Sequence, residues 1–435
     1  MKTFLIMGLF VIATHFLFGQ TKPDEIINAK ETQRIESVLA SDDMRGRKAF
    51  TPDIDKAADF IAAEFKKAGL QTWGNNQSFR QEFAVVRPRF ISASATFDGS
   101  EVDEKNIIVV TCQPDLLIDE RSGYTFARIR EGENLRSAAS AFIKADKNVI
   151  ILVDQSFVTS FPRLTNLKRA MFKTDKSFVF VLAQEIPKKF EIKAKHEFSE
   201  QAMANVVGVL PGKSLPTGQA GKKNEYVIFS AHYDHLGVGQ PVNGDSIYNG
   251  ANDDASGTTA VIMLAKYFKA LGNNERTIVF VAFTAEETGG YGSQYFSSQF
   301  DPEKVVAMFN IEMIGTQSKW GKNSAYITGF EKTDMGSILE KNLEGSGFTF
   351  YPDPYSMQQL FYRSDNATLA RLGVPAHTIS TSKMDDEPNY HRVTDQIETL
   401  DMDNMAMIIR SIALSAQSII AGKDTPTRVK VEELR

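Results

Sequence analysis

The sequence has a single cysteine, Cys112, in 435 residues. An intrachain disulfide framework is therefore excluded. Cys112 closes the strand-like run NIIVVTC and reads as a small buried apolar side chain. Basic charge is not in excess: 49 Lys and Arg stand against 54 Asp and Glu, a formal net charge of −5. The basic stripe that a nucleic-acid surface requires is missing, so no nucleic-acid partner is expected. The chain shows no internal repeat and no long low-complexity tract.

Long apolar runs are confined to the first 19 residues, MKTFLIMGLFVIATHFLFG. One Lys precedes an apolar stretch from Phe4 to Phe18, and the polar segment QTKPDE follows at once. This pattern predicts a secretory signal peptide over 1–19, with an uncleaved anchor as the other reading. The expectation is an exported chain, periplasmic or secreted, without a stable membrane span after signal cleavage.

What is present is a change of pattern along the chain. Apolar residues recur at helical spacing from Ile54 onward, and Gly69 is a stop signal, so 20–88 reads as a helical N-terminal part. Between 89 and 202 lie several β-type runs (RFISASATF, NIIVVT, NVIILVD, SFVFVLA) and one helical stretch, ENLRSAASAFIKAD. This segment reads as a smaller, β-rich inserted domain. From 203 to 422 apolar strands alternate with helices, and a charged tail follows over 423–435. Strands without polar alternation are buried on both faces. The expectation is an α/β fold with a mixed, mostly parallel sheet and helices on both faces. Ligands bind such sheets beyond the carboxyl ends of the strands.

The polar residues fall at those ends. EYVIFSA ends at His232, TIVFVAFTA at Glu286 and Glu287, and KVVAMFNI at Glu312. GANDDA places Asp253 and Asp254 before the helix SGTTAVIML, and NYHRVTD offers His391. Neutral His232 and His391 with Asp253, Glu287 and Glu312 bring three negative charges. One divalent ion is overcompensated by them; two leave one positive charge, which a hydroxide balances. Nitrogen and carboxylate donors without thiolate suit zinc. Two such ions need a carboxylate between them, and Asp253 is placed for that role. Glu286 is then the spare carboxylate, suited to proton transfer.

The stretches AHYDHLG, NGANDDASG, TAEETGGYGS, NIEMIG, RSDNATLARLGVPA and YHRVTD, in this order, resemble the M28 family of zinc-dependent exopeptidases. LASDDMRGRKAFTPDIDKAADFIAAEFKKAGL resembles the segment preceding the peptidase fold in many members, and the insert weakly resembles a protease-associated domain. The resemblance covers roughly 30–88 and 203–420 and implies a phosphorylase/hydrolase-like fold. It implies His232 and Glu312 on one zinc, Glu287 and His391 on the other, Asp253 between them, and Glu286 as general base and acid. It also implies that Asp234 holds the far nitrogen of His232, that Asp253–Asp254 is cis, and that Tyr390 donates to a tetrahedral oxyanion. Glu312 departs from the family pattern, which usually has Asp there.

The function implied is an exported dinuclear zinc exopeptidase acting on peptides, an aminopeptidase in first place. A carboxypeptidase of the same family and a one-zinc acyltransferase resembling glutaminyl cyclases are the alternatives. The acidic loop Asp385–Glu387 is a candidate for holding a substrate ammonium. His235 has no assigned role, His377 reads as a satisfied core histidine, and His196 as a surface residue of the insert. The sequence leaves the oligomeric state open.

Overall fold

The computed structural model describes residues 22–144, 147–168, 170–213 and 221–434. The segment read as a signal peptide lies outside the described residues. No helix among them is long and apolar enough to cross a membrane. The described residues form two compact units, one taking those up to Arg80 and from Val206 onward, the other Gln81–Asn205. These divisions differ from the expected edges at 88/89 and 202/203. They fall in or beside the long strands Arg80–Phe97 and Phe190–Leu210, whose sequences carry no break at the boundary.

In the first unit, Ile54, Ala57, Ala58, Ile61 and Phe65 form the buried stripe of the helix Asp53–Ala68. Gly69 ends it in the left-handed region at φ +79° and donates its N–H to the Lys66 carbonyl at 3.0 Å. The helical reading of the N-terminal part is interrupted after Ala29–Leu39. There the chain makes a tight 3₁₀ segment, Asp42–Arg47, in which Arg45, Gly46 and Arg47 all have positive φ.

The sheet of this unit is mixed. Its order is Thr349–Pro352, Ser324–Ile327, Ala376–Ser380, Val305–Ile311, Tyr226–His232, Thr277–Phe283, then residues 206–210 of the strand Phe190–Leu210. The four strands from Ala376–Ser380 to Thr277–Phe283 are parallel. In the register of the first neighbours, His232 lies beside Phe283. The chain therefore leaves the sheet at one edge after His232, Phe283 and Ile311, the edge where ligands bind. Every residue of Thr277–Phe283 and Val305–Ile311 is buried, as both faces are covered by helices. The helix Ser256–Leu271 is apolar nearly all round and packs between the sheet and the helices Ala29–Leu39, Asp53–Ala68 and Met402–Ser415. Phe229 anchors this core, stacking on Phe268, Phe280 and Phe309 at centroid distances of 5.5, 5.8 and 4.8 Å.

The second unit is β-rich. A four-stranded sheet runs Ile107–Val110, Phe178–Leu182, Val149–Val153, Thr125–Ile129, and the strand Asp115–Asp119 pairs antiparallel with Phe190–Leu210. Two readings are corrected here. His196 is buried, not on the surface: Phe190, Ile192, Ala194 and His196 share the core-facing side of one strand, while their neighbours face out. Its ring lies against Phe90 and Phe198. Cys112 is half-buried instead of buried in a strand, because the strand closes at Val110.

His377 is enclosed in the first unit, with Nδ1 2.8 Å from the Thr328 carbonyl and Nε2 2.8 Å from Thr333 Oγ1. Burial pushes its pKa down to about 4. Below about pH 6.5 the unfolded chain binds a proton that the native state refuses. Stability therefore falls as pH drops from about 6.5 towards 4, by up to about 3 kcal/mol from this group alone. Urea unfolding across that range should show a shallower pH dependence for His377→Gln than for the native protein.

Candidate metal centre

The site is built from four loops at the carboxyl edge of the parallel strands. His232 is the last residue of its strand, and Thr258 Oγ1 donates to its carbonyl at 2.8 Å. After Phe283 the chain turns through Ala285, at φ +59°, into Glu286 and Glu287. This turn lets two adjacent carboxylates face one cavity, which an extended strand would not. The N–H groups of Glu286 and Glu287 donate to Asp234 Oδ1 and Oδ2 at 3.0 and 3.3 Å. Asp234 was expected to hold His232 Nδ1 with its carboxylate. Instead its backbone carbonyl lies 3.1 Å from that nitrogen, and the carboxylate pins the Glu286–Glu287 turn.

The loop Ala251–Ala255 carries Asp253, and its Asp253–Asp254 peptide is cis. Asp395 accepts from the N–H of Asn252 at 2.8 Å and of Asp253 at 3.0 Å. Asp254 accepts from His232 N at 3.2 Å and from Gly257 and Met313 N at 3.0 Å each. One buried carboxylate thus joins the His232 strand end, the Asp253 loop and the segment after Glu312. Asn252 Oδ1 adds a bond from Gly315 N at 2.8 Å.

These loops bring His232, Asp253, Glu287 and His391 together. His232 Nε2 lies 3.3 Å from Asp253 Oδ1, and His391 Nε2 lies 3.2 Å from Asp253 Oδ2. His391 Nε2 is also 3.2 Å from Glu287 Oε2. The two oxygens of Asp253 therefore face different imidazoles. Around a tetrahedral ion with donor bonds of about 2.0–2.1 Å, neighbouring donors lie about 3.3 Å apart. The donor spacing on each side of Asp253 fits that edge, so the residues present suit zinc.

Glu286, Glu312 and Tyr390 line the same cavity, of about 130 Å³, as Asp253, Glu287 and His391. Ser364 hydrogen-bonds the Glu312 carboxylate, whose Oε2 is buried without a partner, and His232 and Asp253 act on its charge. The Tyr390 ring stacks on His391 at 3.9 Å. Asp385, Asp386 and Glu387 do not line the cavity; the Glu387 carboxylate accepts from Ser382 Oγ and Lys383 N at 3.2 Å each.

The electrostatics are those of an acidic pit. Burial raises Glu286 well above the usual carboxylate range against the pull of His232, with Glu312 and Asp365 adding to the rise. Burial likewise lifts Glu312 to about 7. Burial alone would lower His391, but Asp253 and Glu287 outweigh it and lift the imidazole to about 10. So many carboxylates in one enclosure call for cations.

Two residues without an assigned role in the sequence reading belong to this assembly. His235 is buried, with Nδ1 2.9 Å from Glu287 Oε1 and 3.9 Å from Asp253 Oδ2, and one donor atom of each of the three lies within 4.8 Å of the others. Its signal was its place in the same HYDH run as His232. Arg47 is fully buried and spends its guanidinium on four backbone carbonyls: Tyr233 at 2.8 Å, Leu39 at 2.7 Å, Asn249 at 2.6 Å and Gly250 at 2.9 Å. It ties the N-terminal segment to the loops on either side of His232 and Asp253. The Gly-Arg pair in DDMRGRK, where positive φ aims the side chain inward, was the available sign.

Imidazoles and carboxylates gathered at the carboxyl ends of parallel strands, around an acidic cavity, define a candidate metal centre on an α/β fold. Residues 205–416 match the sequence model of peptidase family M28. It is 28% identical over 211 residues to a protein named probable leucine aminopeptidase from Trichophyton verrucosum (strain HKI 0517), covering 46% of this chain and 53% of that one. The chain spans about half the length of the curated relatives it matches. Among solved structures, the fold is similar to an aminopeptidase from Aneurinibacillus sp. strain AM-1, with a TM-score of 0.54 at 17% identity, covering 95% of this chain and 99% of that one. It is also similar to BSAP, a zinc aminopeptidase from Bacillus subtilis, with a TM-score of 0.52 at 18% identity, covering 92% and 97%.

Replacing Arg47 strands four buried carbonyls, and breaking such a buried charged network costs about 3–5 kcal/mol. Arg47→Met should lower the unfolding free energy by about that much in urea titrations. Arg47→Lys, which keeps the charge but not the planar fork, should recover only part of it. A loss below about 1 kcal/mol would deny Arg47 this role.

Proposed function

We propose that the chain is an exported, dinuclear zinc aminopeptidase. The observation carrying this reading is the pair of Asp253 oxygens, each about one tetrahedral edge from a different imidazole. In this reading His232, Asp253 and Glu312 hold one zinc, and Asp253, Glu287 and His391 the other. Bound zinc supplies Lewis acidity towards the scissile carbonyl and a nucleophile at neutral pH. Glu286 has no imidazole partner among these pairs and keeps its carboxylate towards the cavity, where it accepts a proton and returns it to the leaving amine. Its raised pKa suits a group that must hold that proton for part of the cycle. Tyr390, fixed against His391, directs its hydroxyl to the substrate's developing oxyanion.

Aminopeptidase polarity is favoured by the names of relatives. Export rests on the apolar N-terminal run. Cleavage of an aminoacyl-anilide, with N-acetylated peptides refused, is the expected result; the reverse preference would support a carboxypeptidase.

Glu286→Gln should bind two zinc ions per chain, unfold at the native temperature and lose at least about a hundredfold in kcat. Metal analysis and steady-state kinetics check this together, and native turnover by that variant would remove Glu286 from the chemistry.

A further inference from the structure

Three polar residues stand in one row across the otherwise apolar centre of the sheet. Ser230, Asn310 and Thr378 are in register on the adjacent parallel strands Tyr226–His232, Val305–Ile311 and Ala376–Ser380, and all three are buried. Ser230 lies two residues before His232, and Asn310 two before Glu312. Polar groups at that depth need partners. Ser230 Oγ donates to Asn310 Oδ1 at 2.7 Å. Asn310 Nδ2 donates to Thr378 Oγ1 at 3.1 Å and to Ser364 Oγ at 2.7 Å. Thr378 Oγ1 donates to Asn366 Oδ1 at 2.9 Å.

The backbone fixes the direction of the protons in this network. Asn366 Nδ2 faces two carbonyls, of Phe361 at 3.0 Å and of Ala376 at 3.3 Å, and a carbonyl can only accept. The Asn366 amide therefore presents its oxygen to Thr378, whose single hydroxyl proton is spent there. Thr378 Oγ1 must then accept from Asn310. That turns the Asn310 nitrogen towards Thr378 and Ser364 and its oxygen towards Ser230, and both of its N–H bonds are used. Ser364 Oγ consequently receives a proton from Asn310 and keeps its own to give. Ser364 lines the cavity beside Glu312 and is hydrogen-bonded to that carboxylate. Glu312 Oε2 is buried without a partner.

Resting on the two-metal reading, we infer that Ser364 is a positioning residue for Glu312: its Oγ–H, oriented by Asn310, holds one carboxylate oxygen and leaves Oε2 to the zinc shared with His232 and Asp253. Zinc takes thiolate, imidazole and carboxylate donors, so a neutral serine hydroxyl acts through Glu312 and is not itself a ligand. Glutamate has one more rotatable bond than aspartate, and fixing its second oxygen removes the freedom that the longer stem adds. The constraint starts at the Phe361 and Ala376 carbonyls and reaches Glu312 through Asn366, Thr378, Asn310 and Ser364. Ser364→Ala removes the donor; Ser364→Thr keeps it.

The test is competitive zinc titration against a chromophoric chelator, with the visible spectrum of the cobalt-substituted protein. Ser364→Ala should bind one of two zinc ions about 10–100-fold more weakly, leave the other unchanged and alter the cobalt spectrum, and Ser364→Thr should restore most of the loss. Neutron diffraction from crystals of the native zinc-loaded protein, exchanged into heavy water, should place the Ser364 deuteron towards Glu312 and the two Asn310 amide deuterons towards Ser364 and Thr378. This last measurement needs no variant and stands if Ser364→Ala does not fold. Native affinity and spectrum in the alanine variant, or a Ser364 deuteron pointing at Asn310, would overturn the role of Ser364 while leaving the two-metal reading in place. A native protein that binds no zinc would overturn both.

Discussion

The crowding of negative charge at one edge of the sheet is the constraint from which the rest follows. Asp234, Asp253, Asp254, Glu286, Glu287, Glu312, Asp365 and Asp395 are buried or nearly so, and they share a small region of low polarity. An isolated buried carboxylate protonates or destabilises the fold. Here the charges are met in three ways. Asp234, Asp254 and Asp395 are saturated by backbone N–H groups, Arg47 supplies one permanent cation nearby, and Asp253 and Glu287 face imidazoles. On the proposed reading two divalent ions complete the balance.

This division of labour explains how loops far apart in the chain are fitted to one another. The carboxylates bonded to backbone do not face the cavity; they fix the loops that carry those that do. Asp234 sets the Glu286–Glu287 turn, Asp395 sets the backbone of Asp253, and Asp254 joins the His232 strand end, the segment after Glu312 and the start of the helix Ser256–Leu271. Arg47 extends this scaffold to the N-terminal segment, which lies outside the stretch matched to the family. The helices before Arg80 are part of what holds the centre in shape, and a fragment starting at 205 would lack the guanidinium.

Much of this was legible because the central strands are uninterrupted apolar runs. A polar residue closing such a run, as His232 and Glu312 do, stands out against its surroundings, and the parallel topology places these endings on one edge. The supporting contacts were not legible, because a hydrogen bond from a carboxylate to a backbone N–H leaves no mark on the residue that donates. Asp234 was for that reason read only as a partner of His232 Nδ1, and the bonds its carboxylate accepts from the Glu286 and Glu287 N–H groups were missed. His235 was passed over although it sits in the same short run as His232, since a turn decides which way it points. The strands Ser324–Ile327 and Thr349–Pro352 are too short to establish a period, and the alternation that buries His196 was masked by the charged residues between. Glu312, read from its place after an apolar run, lines the cavity with Asp253, Glu287 and His391.

The central claim is that Asp253 lies between two cations, one oxygen turned to each. Anomalous diffraction at the zinc edge, from crystals of the full chain grown with zinc, measures this directly. Two peaks about 3.5–4 Å apart are expected, one on the His232 side of Asp253 and one on the Glu287–His391 side. A single peak, or two that do not share Asp253, would contradict it.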